Sequence, residues 1–213
     1  MRKYDAVFFD LDGTLSESGE GILWCVRRTI EDLKIVVPEN FRLESFIGPP
    51  LADSFYRLGL DDEKVKLGVK TYKSYYDTKG KYMNRAYDGI KELLERLREK
   101  GYKLGVATSK YELFARQIID NIGLLQYFDF VSGATANAER QKKIDVLNYG
   151  IKNLGATPEN SALIGDTKFD AEGARLCGCG FVGVLYGYGT RKEMEAEGAV
   201  NFAETAGKIE KFL

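Results

Sequence analysis

At 213 residues, with 44% apolar and 30% charged side chains, the chain has the balance of a soluble globular protein, either one large domain or a core with a modest insert. Its 31 basic and 32 acidic side chains give a formal charge of −1, which leaves no basic surplus for binding nucleic acid. The absence of histidine excludes Ser-His-Asp triads and most catalytic zinc sites, so carboxylates, Lys, Tyr or Cys must carry any acid–base chemistry.

No apolar run approaches the ~20 residues that a membrane-spanning helix needs. The first residues lead directly into a short apolar stretch carrying acids, which is not the form of a signal peptide. We therefore expect a cytoplasmic protein without a membrane or nucleic-acid partner. The three cysteines are odd in number and lack the CxxC spacing of a redox pair or zinc ribbon, so we interpret them as packing residues.

The first predicted element is a strand over residues 6–9, a short continuous apolar run of the kind buried on both faces of a sheet. It ends in Asp10-Leu11-Asp12-Gly13-Thr14, where polar residues and a glycine predict a loop. This strand therefore delivers two acids to the end of a sheet.

Residues 15–86 carry helical patterns and no convincing buried strand. Their apolar residues recur at helical spacing in two groups, which are Ile22, Val26, Ile30 and Leu33, then Val65, Val69, Tyr72 and Tyr76. An all-helical segment after the first strand of an α/β protein indicates an inserted cap. We assign residues 1–14 and 87–213 to an α/β catalytic core and residues 15–86 to a helical cap domain.

The rest of the chain alternates between predicted strands and helices. Buried strands are predicted over 103–107, 161–164 and 181–184, with a weaker one over 128–131. Helical spacing lies between them, at Ile90, Leu93, Leu94 and Leu97 and at Ile144, Leu147, Ile151 and Leu154. The pattern predicts an α/β fold, a Rossmann-like parallel sheet with helices on both faces.

Ligands of an open parallel sheet bind outside the carboxyl ends of its strands, where polar residues stand in this sequence. They are Asp10 and Asp12, then Thr108, Ser109 and Lys110, then Asp166 and Asp170. Carboxylates that converge repel one another unless a cation or a shared proton relieves them. With no histidine or cysteine nearby, oxygen ligands indicate a hard ion, most simply Mg²⁺, and such a site attracts phosphate.

Each of these pieces alone has an ordinary explanation. Asp-x-Asp-Gly could belong to a calcium loop, but an EF-hand needs a third acid before its glycine and a distal glutamate. Asp10 and Asp12 could close a strand in an Asx-turn, and Thr108 and Ser109 could cap a helix starting near Tyr111. The two later acids could be a helix cap and a solvated position. Their joint placement at strand ends favours a phosphate site.

Four motifs resemble the signatures of the haloacid-dehalogenase superfamily. Asp10-Leu11-Asp12-Gly13-Thr14-Leu15 resembles the first, Thr108-Ser109-Lys110 the second, and Gly165-Asp166-Thr167-Lys168-Phe169-Asp170 the fourth. The third is a lysine at a helix start, for which Lys142 and Lys143 are both candidates. In the subgroup resembled, that lysine stands three residues before a Val-Leu pair, so Val146-Leu147 favours Lys143 over Lys142.

The resemblance covers nearly the whole chain. The segment 46–51 is similar to a substrate-side loop of phosphoglycolate-phosphatase-like members. The segment 183–189, with Glu193 and Gly198-Ala199, is similar to a 5′-nucleotidase-like subset. The stretch 132–140 departs from the relatives' usual pattern, which leaves the choice between the two lysines open.

The resemblance implies a two-step phosphoryl transfer. Asp10 would be the nucleophile that becomes phosphorylated, and Asp12 would protonate the leaving oxygen and then activate water. Asp10, the Asp12 backbone carbonyl and Asp166 would ligate Mg²⁺, and Asp170 would orient a bound water.

Phosphoryl oxygens would be bound by Gly13, Thr108, Ser109 and Lys143, whereas we expect Lys110 to be a solvated helix residue. Dehalogenating members lack an acid at the position of Asp12, because a halide leaves without a proton. The expected function is therefore a Mg²⁺-dependent phosphatase acting on a small phosphoester, such as phosphoglycolate, a nucleotide or a sugar phosphate.

Two alternatives stay open. A phosphosugar mutase of the same fold would return the phosphoryl group to its substrate, and a non-catalytic phosphate-binding module would keep the acidic pocket without turnover. The sequence indicates neither the physiological substrate nor the oligomeric state.

Overall fold

A six-stranded parallel sheet, in the order β5-β4-β1-β6-β7-β8, lies at the centre of the computed structural model, which describes residues 3–137 and 139–213. A second sheet pairs the two short strands β2 and β3. The strands are β1 (Ala6–Phe9), β2 (Ser16–Glu17), β3 (Arg85–Ala86), β4 (Lys103–Tyr111), β5 (Phe130–Ala134), β6 (Ser161–Gly165), β7 (Gly180–Val184) and β8 (Phe202–Ala203).

The middle of this sheet is shielded from solvent. All four residues of β1 are fully buried, as expected of a strand covered on both faces. The register aligns Phe9 of β1 with Val106 of β4 and with Ile164 of β6. The Asp10 N–H donates to the carbonyl of Ile164 at 2.9 Å, which extends the pairing one residue further. The polar residues after β1 and β6 therefore start from the same edge of the sheet.

Helices of the α/β unit pack against its sheet. The helices of the described chain are α1 (Gly19–Asp32), α2 (Leu51–Arg57), α3 (Asp62–Thr78), α4 (Ile90–Glu99), α5 (Glu112–Asn121), α6 (Lys143–Asn153), α7 (Lys168–Cys177) and α8 (Arg191–Ala196). Short 3₁₀ turns occupy Leu43–Phe46, Gly80–Tyr82, Leu125–Tyr127, Ala206–Lys208 and Glu210–Phe212. On α4 the predicted apolar stripe is fully buried, because the residues at i, i+3, i+4 and i+7 share one face of a helix. The predicted α/β fold is confirmed.

The chain folds into two compact units. The α/β unit holds the chain up to Glu17 and again from Arg85, and the second unit spans Ser18–Asn84. The sequence placed these boundaries at 14/15 and 86/87. Across the second unit the described elements are helices and 3₁₀ turns. Its core includes Phe46 and Phe55, whose rings meet edge to face at 5.1 Å.

The small sheet lies where the chain leaves and re-enters the α/β unit. Ser16 pairs with Ala86 and Glu17 with Arg85 in antiparallel register. The Arg85 guanidinium also contacts the Glu17 carboxylate at 2.7 Å. This ion pair is exposed and adds little stability, so the backbone ladder is what holds the two passages side by side.

Several strands differ from their sequence-based predictions. β5 lies at Phe130–Ala134 and not at 128–131, and the short strands β2 and β3 were not predicted. β4 does not stop at Ala107 but runs to Tyr111, because its pairing with β5 shifts register between Ala107 and Tyr111 and then resumes at Ala134. The short strand β8 also extends the sheet beyond β7. In the part of the chain that the structure describes, no helix is long and apolar enough to span a membrane.

Candidate active site

Three carboxylates meet at the edge of the sheet where β1 and β6 end. Asp10 directly follows β1, Asp166 directly follows β6, and Asp170 lies in the first turn of α7. One oxygen from each lies within 4.8 Å of the others. Asp10 is buried, with 8% exposed, and Asp166 and Asp170 are fully buried. The cluster therefore concentrates negative charge away from water.

Lys143, the first residue of α6, brings positive charge to this cluster. Its Nζ lies 2.7 Å from Asp10 Oδ1 and 2.7 Å from Asp170 Oδ1, and it donates to the carbonyl of Ala107 at 3.0 Å. Burial lowers the pKa of Lys143, but the carboxylates of Asp10 and Asp170 outweigh that effect and raise it above its usual range. Lys142 is exposed at the N-cap of the same helix. The structure thus brings Lys143, and not Lys142, to the acids.

Asp166 is held on both of its oxygens. The Thr14 hydroxyl donates to Oδ1 at 3.1 Å, and the Tyr188 N–H donates to Oδ2 at 2.8 Å. Two glycines allow the surrounding backbone to approach. A Cβ at Gly13 would lie 2.1 Å from Asp166 Oδ2, and a Cβ at Gly187 would lie 2.3 Å from Asp166 Cβ. Any larger residue at these two positions would displace the carboxylate.

Burial and mutual repulsion disfavour ionisation of the acids. Burial is the main cause that raises the pKa of Asp10 to about 6, and Lys143 opposes it. Burial also raises the pKa of Asp166 to about 8, with further increases from the charges of Asp170 and Asp10. When all three carboxylates are ionised, the one ammonium group of Lys143 does not neutralise them, so the cluster keeps a net negative charge.

Asp170 connects α7 to the cluster. Its Oδ2 accepts from the Thr167 N–H at 2.9 Å, and the Thr167 side chain accepts in return from the Asp170 backbone, which closes a capping box. The Thr167 hydroxyl also donates to Oδ2 at 2.7 Å, while Oδ1 faces Lys143. The sequence placed Asp170 one helical turn beyond Asp166. In the structure Asp166 precedes the helix, and Asp170 lies close enough to share a cation with it.

Asp12 lies beside this cluster and faces β4. Its Oδ2 is 2.9 Å from the Nζ of Lys110, a side chain with only 13% of its surface exposed. The expectation that Lys110 is a solvated helix residue is wrong, since Lys110 belongs to β4 and forms an ion pair. Thr108 is buried, with 2% exposed, and its Oγ1 accepts from the Lys110 N–H at 3.3 Å, whereas Ser109 is exposed.

The donor set fits a hard divalent cation. The three clustered carboxylates offer oxygen ligands, which Mg²⁺ prefers, and the raised pKa values of Asp10 and Asp166 are what acids show when their counter-charge is incomplete. The sequence-based proposal used Asp10, Asp12 and Asp166. The structure adds Asp170 to the acids within reach.

Comparison with known proteins matches residues 7–184 to the family described as haloacid dehalogenase-like hydrolase, a span that contains all the residues above except Tyr188 and Gly187. The chain belongs to this family. A 5′-nucleotidase of Pseudomonas aeruginosa is 34% identical over 212 residues, which are 99% of this chain and 96% of that protein. Membership of this hydrolase family confirms the resemblance that the four sequence motifs indicated.

Two further relatives bear on its length and fold. The tyrosine-protein kinase PtkA of Mycobacterium tuberculosis is 37% identical over 183 residues, which are 86% of this chain but only 62% of PtkA. The chain therefore spans less than two thirds of that relative. The crystal structure of a predicted phosphatase from Clostridium acetobutylicum is 34% identical and superposes with a TM-score of 0.91, covering 99% of this chain and 98% of that one.

Sequence reasoning missed three groups of this hydrolase's site. Thr14 and Tyr188 hold Asp166, and Lys110 contacts Asp12. Thr14 lies in the first motif, which was the available signal. Tyr188 acts through its backbone N–H, so the identity of its side chain carries no signal. The glycines at 187 and 189 were the available signal, because they indicate a backbone that packs closely against a neighbouring segment, which in the structure is Asp166.

Proposed function

We propose that the protein is a Mg²⁺-dependent phosphomonoester hydrolase that acts on a small phosphorylated metabolite through an aspartyl-phosphate on Asp10. The observation that carries the proposal is the placement of Asp10. It stands at the end of the central strand, next to Lys143 and within 4.8 Å of two further carboxylates. A nucleophilic carboxylate beside a fixed ammonium suits an attack on a phosphoryl group, whose oxygens are negative.

In the first step the Asp10 carboxylate attacks phosphorus, and the bond from phosphorus to the leaving oxygen breaks. Asp12 gives its proton to that oxygen, so the product departs as an alcohol. In the second step the Asp12 carboxylate takes a proton from water, which attacks the phospho-aspartate. Free phosphate leaves, and Asp10 and Asp12 return to their starting states.

Mg²⁺ would be held by the carboxylates of Asp10 and Asp166 and the backbone carbonyl of Asp12. When bound, it supplies positive charge that binds the substrate's phosphoryl oxygens and offsets the repulsion among the acids. Asp170 holds Lys143 by an ion pair and fixes the start of α7, so we assign it a supporting position beside the ligands.

The phosphoryl oxygens would be bound by groups that surround Asp10. Lys143 offers its ammonium and Thr108 its hydroxyl, and the backbone N–H groups around Gly13 can also donate. Ser109 is exposed and is the weakest member of this set. Since the chain carries these groups on α6, on β4 and in the loop after β1, binding depends on the folded sheet and not on one loop.

The helical unit Ser18–Asn84 would act as the cap that selects the rest of the substrate. A cap favours small phosphoesters over phosphoproteins, because it limits the size of the group attached to the phosphate. The name of the Pseudomonas relative makes nucleoside monophosphates the first substrates to test. Phosphoglycolate follows, from the resemblance of the segment 46–51, and sugar phosphates complete the set.

The deciding experiment measures phosphate release from a panel of small phosphomonoesters, with Mg²⁺ and with EDTA. Mg²⁺-dependent release of free phosphate supports the proposal. An isomerised phosphosugar without free phosphate would indicate a mutase. Because the longer relative PtkA is named a tyrosine kinase, a second arm supplies ATP and a tyrosine peptide, and phosphotyrosine formation without phosphomonoester hydrolysis would overturn the proposal.

Asp10→Asn tests the nucleophile. The amide keeps the shape of the side chain but cannot attack phosphorus, so turnover should fall to background while the melting temperature is retained. Asp88→Asn, at an acid outside the cluster on the same unit, is the matched control and should keep full activity. Turnover by Asp10→Asn above that background would refute the assignment.

A further inference from the structure

The contact between Lys110 and Asp12 has no counterpart in the function derived so far. Lys110 Nζ lies 2.9 Å from Asp12 Oδ2, and the two side chains are only 13% and 20% exposed. Among the described residues, the other oxygen, Asp12 Oδ1, is buried without a hydrogen-bond partner. Lys110 thus contacts Oδ2 of the Asp12 carboxylate and leaves Oδ1 available for a hydrogen bond with a substrate.

The backbone of β4 explains why Lys110 reaches this position. β4 is the neighbour of β1 in the sheet, and it continues five residues past the level at which Phe9 pairs with Val106, beyond which β1 gives way to its loop. Its pairing with β5 is irregular over this stretch, between Ala107 and Tyr111. A register irregularity re-aims the side chains that follow it. Lys110 is consequently delivered toward the loop after β1.

Holding a lysine in one place has an entropic cost. A restrained lysine side chain gives up most of its rotamer freedom, and an exposed ion pair rarely compensates for that loss. The pair between Lys110 and Asp12 is mostly shielded from water and lies beside the reactive carboxylates. A solvated lysine, as the sequence suggested, would not take this position.

We propose that Lys110 is a positioning residue that fixes the Asp12 carboxyl group, so that Oδ1 faces the leaving oxygen. This inference rests on the proposed function. The proton moves from Asp12 Oδ1 to the leaving oxygen while the phosphorus–oxygen bond breaks and its electron pair stays on that oxygen. Lys110 neither gains nor loses a proton in this step. Without it the Asp12 side chain would turn among its rotamers, and proton delivery would slow.

The experiment compares two substrates of nearly the same shape, phenyl phosphate and p-nitrophenyl phosphate. Departing phenoxide gains much more from protonation than departing p-nitrophenoxide does. General acid catalysis contributes roughly 10²- to 10⁴-fold, so partial loss of it in Lys110→Met should lower kcat/KM on phenyl phosphate about tenfold more than on p-nitrophenyl phosphate. Lys110→Arg, which keeps the charge, should recover much of the loss.

The ratio of the two kcat/KM values within one variant does not depend on the fraction that is folded, so poor folding of Lys110→Met would not hide the effect. Lys91→Met, at an exposed lysine of α4, is the matched control and should leave the ratio unchanged. In a double-mutant cycle, Lys110→Met should add little to Asp12→Asn, because the group that it positions is already gone.

An equal loss on both substrates, or full additivity with Asp12→Asn, would overturn the role of Lys110 as a positioning residue. A higher KM at unchanged kcat would instead assign Lys110 to substrate binding and would also overturn it. If the unsubstituted protein hydrolyses neither substrate nor any other phosphomonoester, the proposed function itself fails. The two failures are therefore distinguishable.

Discussion

Replacing Asp166 by asparagine should remove most of the stabilisation that Mg²⁺ gives to the fold. In the absence of metal, the same substitution should increase the stability of the fold. Asparagine preserves both hydrogen bonds of this buried position. Its carbonyl can accept from the Tyr188 N–H, and its amide can donate to the Thr14 hydroxyl, which rotates to accept. What changes is the charge. The substitution therefore isolates the cost of an ionised carboxylate that lacks its cation.

The magnitude follows from the pKa of Asp166, which burial and the neighbouring acids raise from 3.8 to about 8. Each pKa unit is worth 1.36 kcal/mol, so ionising Asp166 in the metal-free fold costs on the order of 5 kcal/mol. The folded state binds this proton more tightly than the unfolded state does. Its stability therefore falls as the pH rises from about 4 to 8, and levels off above that value.

The assay is thermal unfolding of Asp166→Asn and the unsubstituted protein in EDTA between pH 5.5 and 8.5. The variant lacks the penalty, so its advantage should grow with pH and reach roughly 10–20 °C, at about 2–4 °C per kcal/mol for a chain of this size. Mg²⁺ should then raise the melting temperature of the unsubstituted protein much more than that of the variant. Parallel pH curves, or equal stabilisation by Mg²⁺, would refute the reasoning.

Other substitutions test the remaining parts of the site. Lys143→Met removes the ammonium beside Asp10 and should lower kcat roughly 10²-fold or more. Lys142→Met, at the exposed neighbour, should change kcat little. Equal effects of the two substitutions in a steady-state assay would contradict the assignment of Lys143 to the site. Gly187→Ala places a methyl group 2.3 Å from Asp166 Cβ and should weaken Mg²⁺ activation roughly tenfold, while Gly207→Ala, whose methyl group would have no atom within 4 Å, is the control in the same titration.

The parts of the site that follow strands were predictable from sequence. Asp10 and Asp166 come directly after short apolar runs, and parallel strands place their carboxyl ends at one edge. That much needs only local pattern and one rule of sheet geometry. The convergence of Asp10 and Asp166 within 4.8 Å follows from the register between β1 and β6.

The position of Lys110 was not predictable in this way. Thr108 and Ser109 are polar and look like the start of a loop, so the predicted strand ended at Ala107. The chain stays extended to Tyr111 because it pairs with Ala134, which is 23 residues further along the chain, after an irregular stretch. A pairing at that distance leaves no local pattern. The same limitation hid β8, whose two residues are held by pairing with Gly183 and Val184.

The small antiparallel ladder between β2 and β3 also bears on how such a chain could be assembled and modified. Both crossings between the units pass through paired residues, so the ends of the 67-residue helical segment Ser18–Asn84 emerge from adjacent strands, about 5 Å apart. An insert with adjoining ends can be exchanged, shortened or removed without threading the chain anew through the sheet. The same α/β unit could therefore accept different inserted segments between β2 and β3, and substrate preference could change with the insert.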